Sequence, residues 1–186
     1  MTSSAGRTGL RADARRNRAR VLAAAREAFA DEGLSVPLDE IARRAGVGAG
    51  TVYRHFPSKE MLFEAVVLDR IEWLAEQARD RLAAADPGGV FFEFFEVVAE
   101  QALLNKALCD ALEASTGTPF TAAPDERGEF RAAFGALLRR AQAAGAVRAD
   151  VEPDDLTALL AGYLAVRRRA PAGRPLARII ADGLRA

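Results

Sequence analysis

Nowhere does this sequence alternate apolar and polar residues over the length of a strand, and its Val-Ile-Thr content never gathers into runs. Alanine makes up about a fifth of the residues, and leucine, arginine and glutamate are also abundant. All four are strong helix formers, so the chain is confined to helices. Breakers cut it into pieces of helical length. A first helix is predicted from about Ala14 to Asp31, with Val21, Leu22, Ala25 and Phe29 on one face, ended by Gly33. A short helix follows Pro37, with Asp39 and Glu40 favourably placed at its positive end, and stops at Gly46. Another spans about Ala49 to His55, before Pro57. Ser58 can cap a long helix reaching about Ala85, striped by Leu62, Val66, Ile71, Leu74, Ala78 and Leu82. After the Asp86–Gly89 turn comes Phe91–Ala114, expected to bend or break near Asn105. A loop over 115–124, a helix Asp125–Ala144 closed by Gly145, and helices Pro153–Arg169 and Leu176–Leu184 complete the chain. The expected fold is all-α, with about nine helices.

At 186 residues and 19.9 kDa, half of them hydrophobic, the chain can form one compact domain or two small ones. Its 26 basic and 26 acidic side chains balance, but unevenly along the sequence. Residues 1–60 hold 11 basic and 7 acidic groups, and residues 61–186 hold 15 and 19. Seven arginines fall within residues 1–26, where Asp13 is the only acid. A basic head on an acidic body suits a polyanionic partner. The single cysteine, Cys109, excludes an intramolecular disulfide framework and fits a reducing compartment; it reads as a small buried hydrophobe before a redox sensor. No secretory signal is visible. The longest uncharged apolar run, Leu156–Val166, is about half of the ~20 residues a membrane span needs. Arg167–Arg169 behind it suits the dipole of a helix C-terminus. These features predict a cytoplasmic protein that does not enter the membrane.

Residues 39–56, DEIARRAGVGAGTVYRHF, describe a helix, a glycine-containing turn and a second short helix, the helix-turn-helix pattern. Ile41, Ala42 and Ala45 give the first helix an apolar side, and Val47, Val52 and Phe56 serve the second. Small Ala42 allows close approach of the axes. The outer face of the second helix then carries Ala49, Gly50, Thr51, Tyr53 and Arg54. A helix of that width fits the major groove of DNA, about 12 Å across.

Residues 33–64, GLSVPLDEIARRAGVGAGTVYRHFPSKEMLFE, resemble the N-terminal DNA-binding domain of the tetracycline-repressor (TetR) family of bacterial regulators. The tokens IA-x-x-AGV, TVYRHF and SKE-x-L carry the resemblance, which extends back through Val21 and weakens after residue 70. It implies that Thr51, Tyr53 and His55 contact DNA, largely at phosphate, and that Lys59 clamps a phosphate at the start of the following helix. The chemistry agrees, since hydroxyls and an amine set position rather than read bases. Arg54 can form a bidentate bond to guanine, worth roughly 1–3 kcal/mol of discrimination, and Arg44 is a second candidate. Gly48, Ala49 and Gly50 can read only shape or a thymine methyl. Tyr53 also has a reading as a packing residue, and His55, the only histidine, has a structural one. The arginines of the N-terminal arm (Arg7, Arg11, Arg15, Arg16, Arg18) are expected to form a flexible solvated tail that also lies along phosphate or minor groove. In two places the sequence departs from the family pattern. Val36-Pro37-Leu38 stands where members carry a capping Thr or Ser, and Gly50 lies inside the recognition helix, a cost of about 1 kcal/mol in propensity relative to alanine.

The resemblance further implies a division into an N-terminal arm and helix-turn-helix domain, residues 1–57, and a helical effector-binding and dimerisation domain, residues 58–186. Trp73, Phe91, Phe94, Phe95, Phe120, Phe130 and Phe134 are the candidates for an effector pocket, although each Phe taken singly also reads as core. Four phenylalanines within residues 91–95 cover more than one helix face, so a second apolar surface is expected there, a cavity or an interface. Leu156, Leu160, Tyr163 and Leu164, with Leu176, Ile179 and Ile180, give the last two helices apolar faces suited to two-fold pairing. The partners expected are double-stranded DNA, a small apolar or amphipathic effector, and a second copy of the chain; the expected role is ligand-released repression. Enzyme chemistry lacks support. GVGAG at 46–50 follows no strand and precedes no GK[ST], and one His with one Cys makes neither a metal cluster nor a nucleophile–base pair. No cofactor is implied. A helical binding module without DNA activity would leave YRHFPSK and the basic head unexplained.

Overall fold

The computed structural model describes residues 4–116, 124–167 and 175–186. Among them are eight α-helices: α1 (Ser4–Glu32), α2 (Leu38–Ala45), α3 (Ala49–His55), α4 (Lys59–Arg81), α5 (Pro87–Thr116), α6 (Pro124–Ala143), α7 (Pro153–Arg167) and α8 (Leu176–Gly183). The chain divides into two compact units, one from the described residues of Met1–Asp69 and Leu108–Phe120, the other from those of Arg70–Ala107 and Thr121–Ala186.

In the first unit α1 packs on α2 and α3, and α2 on α3. Val21, Leu22, Ala25 and Phe29 of α1 are buried, as the sequence expects, together with Ile41 and Ala42 of α2, Val52 of α3, and Leu62 and Phe63 of α4. The Phe29 and Phe63 rings stand 6.1 Å apart. A 3-10 turn over Gly33–Ser35 follows α1, with Gly33 at φ 68°. Helix α1 begins at Ser4, ten residues before the expected Ala14. Arg11, Ala12, Ala14 and Arg15 are helix formers, and after Gly9 nothing interrupts them.

The sharp end of α2 depends on Gly46, at φ 62°. Gly46 N–H donates to the Arg43 carbonyl and Val47 N–H reaches back to that of Ala42, both at 3.1 Å. This is the Schellman closure that a left-handed residue permits. Arg20 donates to the Gly46 carbonyl at 2.9 Å, tying α1 to the turn between α2 and α3.

The second unit is built around α5. Asp86 accepts from Gly89 N–H at 2.9 Å and Pro87 opens the helix, which then runs unbroken through Asn105. An interior asparagine costs at most about 0.7 kcal/mol of propensity, and the leucines, lysine and alanine around it outweigh that. Phe91, Phe92, Phe94 and Phe95 are all buried. The expectation that some must face outside a two-layer core does not hold, because core surrounds this stretch of α5: Leu74, Ala78, Leu137, Leu138 and Ala181 belong to the same cluster. Arginines complete the enclosure, Arg185 at 4.1 Å from the Phe92 ring centre and Arg81 at 5.4 Å from that of Phe94.

Helix α6 closes on Gly145 (φ 70°), where Ala146 N–H bonds the Ala141 carbonyl at 3.0 Å. Gln142 donates to the Arg148 and Val151 carbonyls, at 2.9 and 2.8 Å, and fixes the loop to α7. An isolated antiparallel bridge, Val147 to Arg185, is the only strand-like pairing among the described residues.

Candidate nucleic-acid interface and ligand cavity

The two short helices α2 and α3 are joined by Gly46, Val47 and Gly48, and Thr51 N–H bonds the Gly48 carbonyl at 2.8 Å to start α3. With Val52 fully buried, helical periodicity turns the opposite face outward. On it Gly48, Ala49, Gly50, Tyr53 and Arg54 are exposed, Tyr53 to 47%, and Thr51 and His55 are half-buried. The His55 ring leans on Phe56, centroids 6.2 Å apart. Neither Gly48 nor Gly50 has positive φ, and a Cβ built on either meets nothing within 4 Å. The surface offered is therefore one reaching guanidinium, two hydroxyls and an imidazole, beside a patch of bare backbone.

Two candidate residues are already engaged. Arg44 Nε donates to Glu40 at 2.8 Å, and its guanidinium also pairs with Glu32. Arg43 holds the same Glu40 carboxylate at 2.8 and 2.7 Å. The hydrogen bonds from Arg43 and then Arg44 bring the Glu40 carboxyl down to about 2. Lys59, in the first turn of α4, donates its amine to the Leu34 carbonyl at 2.7 Å. Ser58 caps that helix, accepting from Met61 N–H at 3.3 Å. In that first turn the Glu60 carboxyl is also lowered, by a backbone hydrogen bond and then by Ser58. Arg18, expected in a flexible arm, instead lies within α1 with its guanidinium 5.6 Å from the Phe56 ring centre, and Arg20 on the turn carbonyl was not among the candidates. Neither contact leaves a signal in local spacing, since the partners are far apart in sequence.

The second unit holds a cavity of about 420 Å³. Ile71 and Leu74 of α4, Val98 and Ala102 of α5, Phe130 and Phe134 of α6, and Leu156 and Leu160 of α7 give it apolar walls. Asn105, Arg131 and Thr157 add polar groups. Arg131 is paired with Asp154. Of the aromatic candidates, Phe130 and Phe134 line this space. Phe91, Phe94 and Phe95 are buried around Phe134 instead, with centroids 5.9, 5.5 and 6.5 Å from it. Trp73 is half-buried with Arg70 stacked 3.5 Å from its ring centre, and Phe120 lies outside the described residues.

Among the residues expected to pair two copies, Leu156 and Leu160 face the cavity. Tyr163, Leu176, Ile179 and Ile180 line a separate apolar groove of about 320 Å³ between α7 and α8. Val166 and Ile179 on that groove are each 53% exposed. Leu164 is half-buried and lines neither.

Comparison with known proteins matches two stretches of the chain. Residues 21–66 match the family described as bacterial regulatory proteins, tetR family, and residues 86–186 match the C-terminal domain of SbtR-like transcriptional regulators. A TetR transcription regulatory protein from Mycobacterium vanbaalenii is 49% identical, with a TM-score of 0.76 over 95% of this chain and 99% of that one. The TetR regulator SCO0520 from Streptomyces coelicolor is 34% identical, with a TM-score of 0.72 over 90% of this chain and 98% of that one. The transcriptional repressor KstR2 of Mycolicibacterium smegmatis is 29% identical over 133 residues, 68% of this chain; the match spans 65% of KstR2.

Proposed function

Because this chain belongs to the TetR family of bacterial regulators, we propose that it represses transcription as a homodimer, gripping an inverted-repeat operator through α3 and released by a small apolar or amphipathic ligand. The observation that carries the reading is the outer face of α3, where Arg54 is exposed beside Gly48, Ala49 and Gly50. Arg54 makes no hydrogen bond or ion pair among the described residues, so its fork is available for guanine O6 and N7. Thr51, Tyr53 and His55 serve as phosphate contacts that fix register. Lys59 has two N–H groups left after bonding Leu34, enough to meet a phosphate without leaving its carbonyl. Arg44 contributes less, because reaching a base means giving up Glu32 and Glu40.

In this reading residues 1–57 bind DNA and residues 58–186 sense and dimerise. The ligand occupies the 420 Å³ cavity, within the range of small-molecule sites. The groove with exposed Val166 and Ile179 takes the same groove of a second copy. Two α3 helices then meet half-sites centred about 34–36 Å apart. One helix, α4, carries Lys59 in its first turn and Ile71 and Leu74 on the cavity wall, which makes it the lever of release. A ligand that prefers the non-binding conformer lowers DNA affinity by that preference, typically 1–3 kcal/mol. No helix among the described residues is long and apolar enough to cross a membrane, and the proposed site of action is the cytoplasm.

Selection of duplexes from a random pool by the full chain, followed by anisotropy titration, tests this. An imperfect inverted repeat and a sedimenting species of ~40 kDa, twice 19.9 kDa, are expected. Absence of binding to every duplex at about 50 mM salt, or a ~20 kDa species alone at micromolar concentration, overturns it.

A further inference from the structure

The cavity of the second unit is apolar except at one edge. Leu74, Val98, Phe134 and Leu156 wall it and also belong to the core. Among the described residues no polar or charged side chain is buried, so nothing in the interior stands ready to neutralise an ionised group carried inside. An unpaired charge taken out of water is strongly penalised. The part of a ligand that enters the cavity is therefore uncharged.

The edge has a different chemistry. Of the described residues that line the cavity, Arg131 is the only charged one. Its guanidinium pairs with Asp154 in the first turn of α7, so an ion pair ties α6 to α7 where Pro153, the neighbour of Asp154, lines the space. The two side chains are 53% and 75% exposed, and a pair so well solvated contributes little to folding and is readily exchanged. Asp155, the other acid of that turn, is engaged elsewhere, accepting from Glu152 N–H at 2.8 Å. Asn105 and Thr157 also line the cavity and supply uncharged donors.

We propose that the ligand is an apolar monocarboxylic acid, with its hydrocarbon body in the cavity and its carboxylate on Arg131, where it takes the place of Asp154. The inference rests on the reading of this cavity as the ligand site and narrows that reading to one chemical class. The Arg131 fork already holds a carboxylate at the rim, and a planar guanidinium receives another of the same shape in the same way. Asp154 is the resident stand-in: it occupies the fork in the free protein and swings into water when the acid arrives. One guanidinium matches one negative charge. A dianion would bring a second charge with no cation on the wall to meet it, and an amine would face Arg131 itself.

Isothermal titration calorimetry of the full chain tests this with probes that share one ten-carbon chain: decanoate below its micelle concentration, 1-decanol and decylammonium. Decanoate is expected to bind about tenfold more tightly than 1-decanol, and decylammonium more weakly than either. Arg131→Gln weakens decanoate about tenfold and changes 1-decanol by less than about twofold. Asp154→Asn acts in the opposite direction and tightens decanoate roughly threefold, because the fork no longer has to be released. Ala102→Leu, which narrows the cavity and leaves the ion pair alone, weakens decanoate and 1-decanol alike, with helicity by circular dichroism unchanged. Equal affinity for decanoate and 1-decanol overturns the proposal, as does tighter binding of decylammonium or an Arg131→Gln chain that keeps the preference for the acid. Weaker decanoate binding in Asp154→Asn also overturns it, since Asp154 would then support the ligand instead of competing with it. A wild-type chain that binds none of the probes, or an Ala102→Leu chain that binds them undiminished, overturns the cavity as the ligand site and the proposal with it. Either result is distinct from binding in the cavity without regard to charge.

Discussion

The two units put their candidate functional side chains in opposite places. In the first, a small core of α1, α2 and α3 is closed, and the residues proposed to meet DNA are left outside it: Tyr53, Arg54 and the backbone at Gly50. In the second, the candidate ligand surface is the inner wall of the core, since Phe134 and Leu156 belong to the buried cluster and also line the cavity. An outward site can change its chemistry at little cost to folding. An inward site has less freedom, because Leu74, Val98, Phe134 and Leu156 border the cavity and also belong to the core of the unit.

The sharpest way to break that contrast is Phe134→Ala. Phe134 meets the rings of Phe91, Phe94, Phe95 and Phe130, all within 6.5 Å between centroids, so the truncation is expected to cost about 3–5 kcal/mol by chemical denaturation. A loss under about 1 kcal/mol would mean that the cavity wall is not part of the core. Next in size, Arg54→Ala should remove roughly 1–3 kcal/mol of discrimination between selected and shuffled duplexes. Its unfolding free energy should stay within about 0.5 kcal/mol of wild type. A smaller effect, of opposite sign in folding and binding, is expected for Gly50→Ala. The helical backbone accepts a methyl and nothing lies within 4 Å, so stability should rise by about 0.4–1 kcal/mol. Operator affinity should fall if the bare backbone approaches DNA closely, and a gain in stability with affinity intact would remove Gly50 from the interface.

The smallest effect is one of pH. The Glu40 carboxyl, held down to about 2 from an ordinary 4.5, contributes stability that is present above the ordinary carboxylate range and is lost as pH falls toward 2. Carbon-detected NMR titration should find its midpoint near 2 and moving upward in Arg43→Gln. A midpoint already near 4.5 in the wild-type chain would dissolve the Glu40–arginine cluster as a fixed feature of α2.

What was legible in the sequence follows from what is local. Gly33, Gly46 and Gly145 were readable as helix stops, and all three have positive φ. The helix-turn-helix was equally plain, since Ile41, Ala42 and Val52 are neighbours in sequence as well as in the core. Residues whose roles depend on distant partners were not legible. Arg44 reads as a free cation until Glu32 approaches it from α1, and Lys59 until Leu34 presents a carbonyl. Four phenylalanines read as too many for one core because nothing in residues 91–95 says that α5 is surrounded. Within that cluster, which ring borders an empty space is decided by α6 and α7, whose packing no periodicity in α5 records.

The bond from Lys59 to the Leu34 carbonyl has a mechanical consequence. It staples the opening turn of α4 to the 3-10 turn between α1 and α2, so the two are joined by a side chain as well as by the backbone. In the proposed release mechanism, this amine is where a movement of the first turn of α4 would reach the segment that leads into α2 and α3.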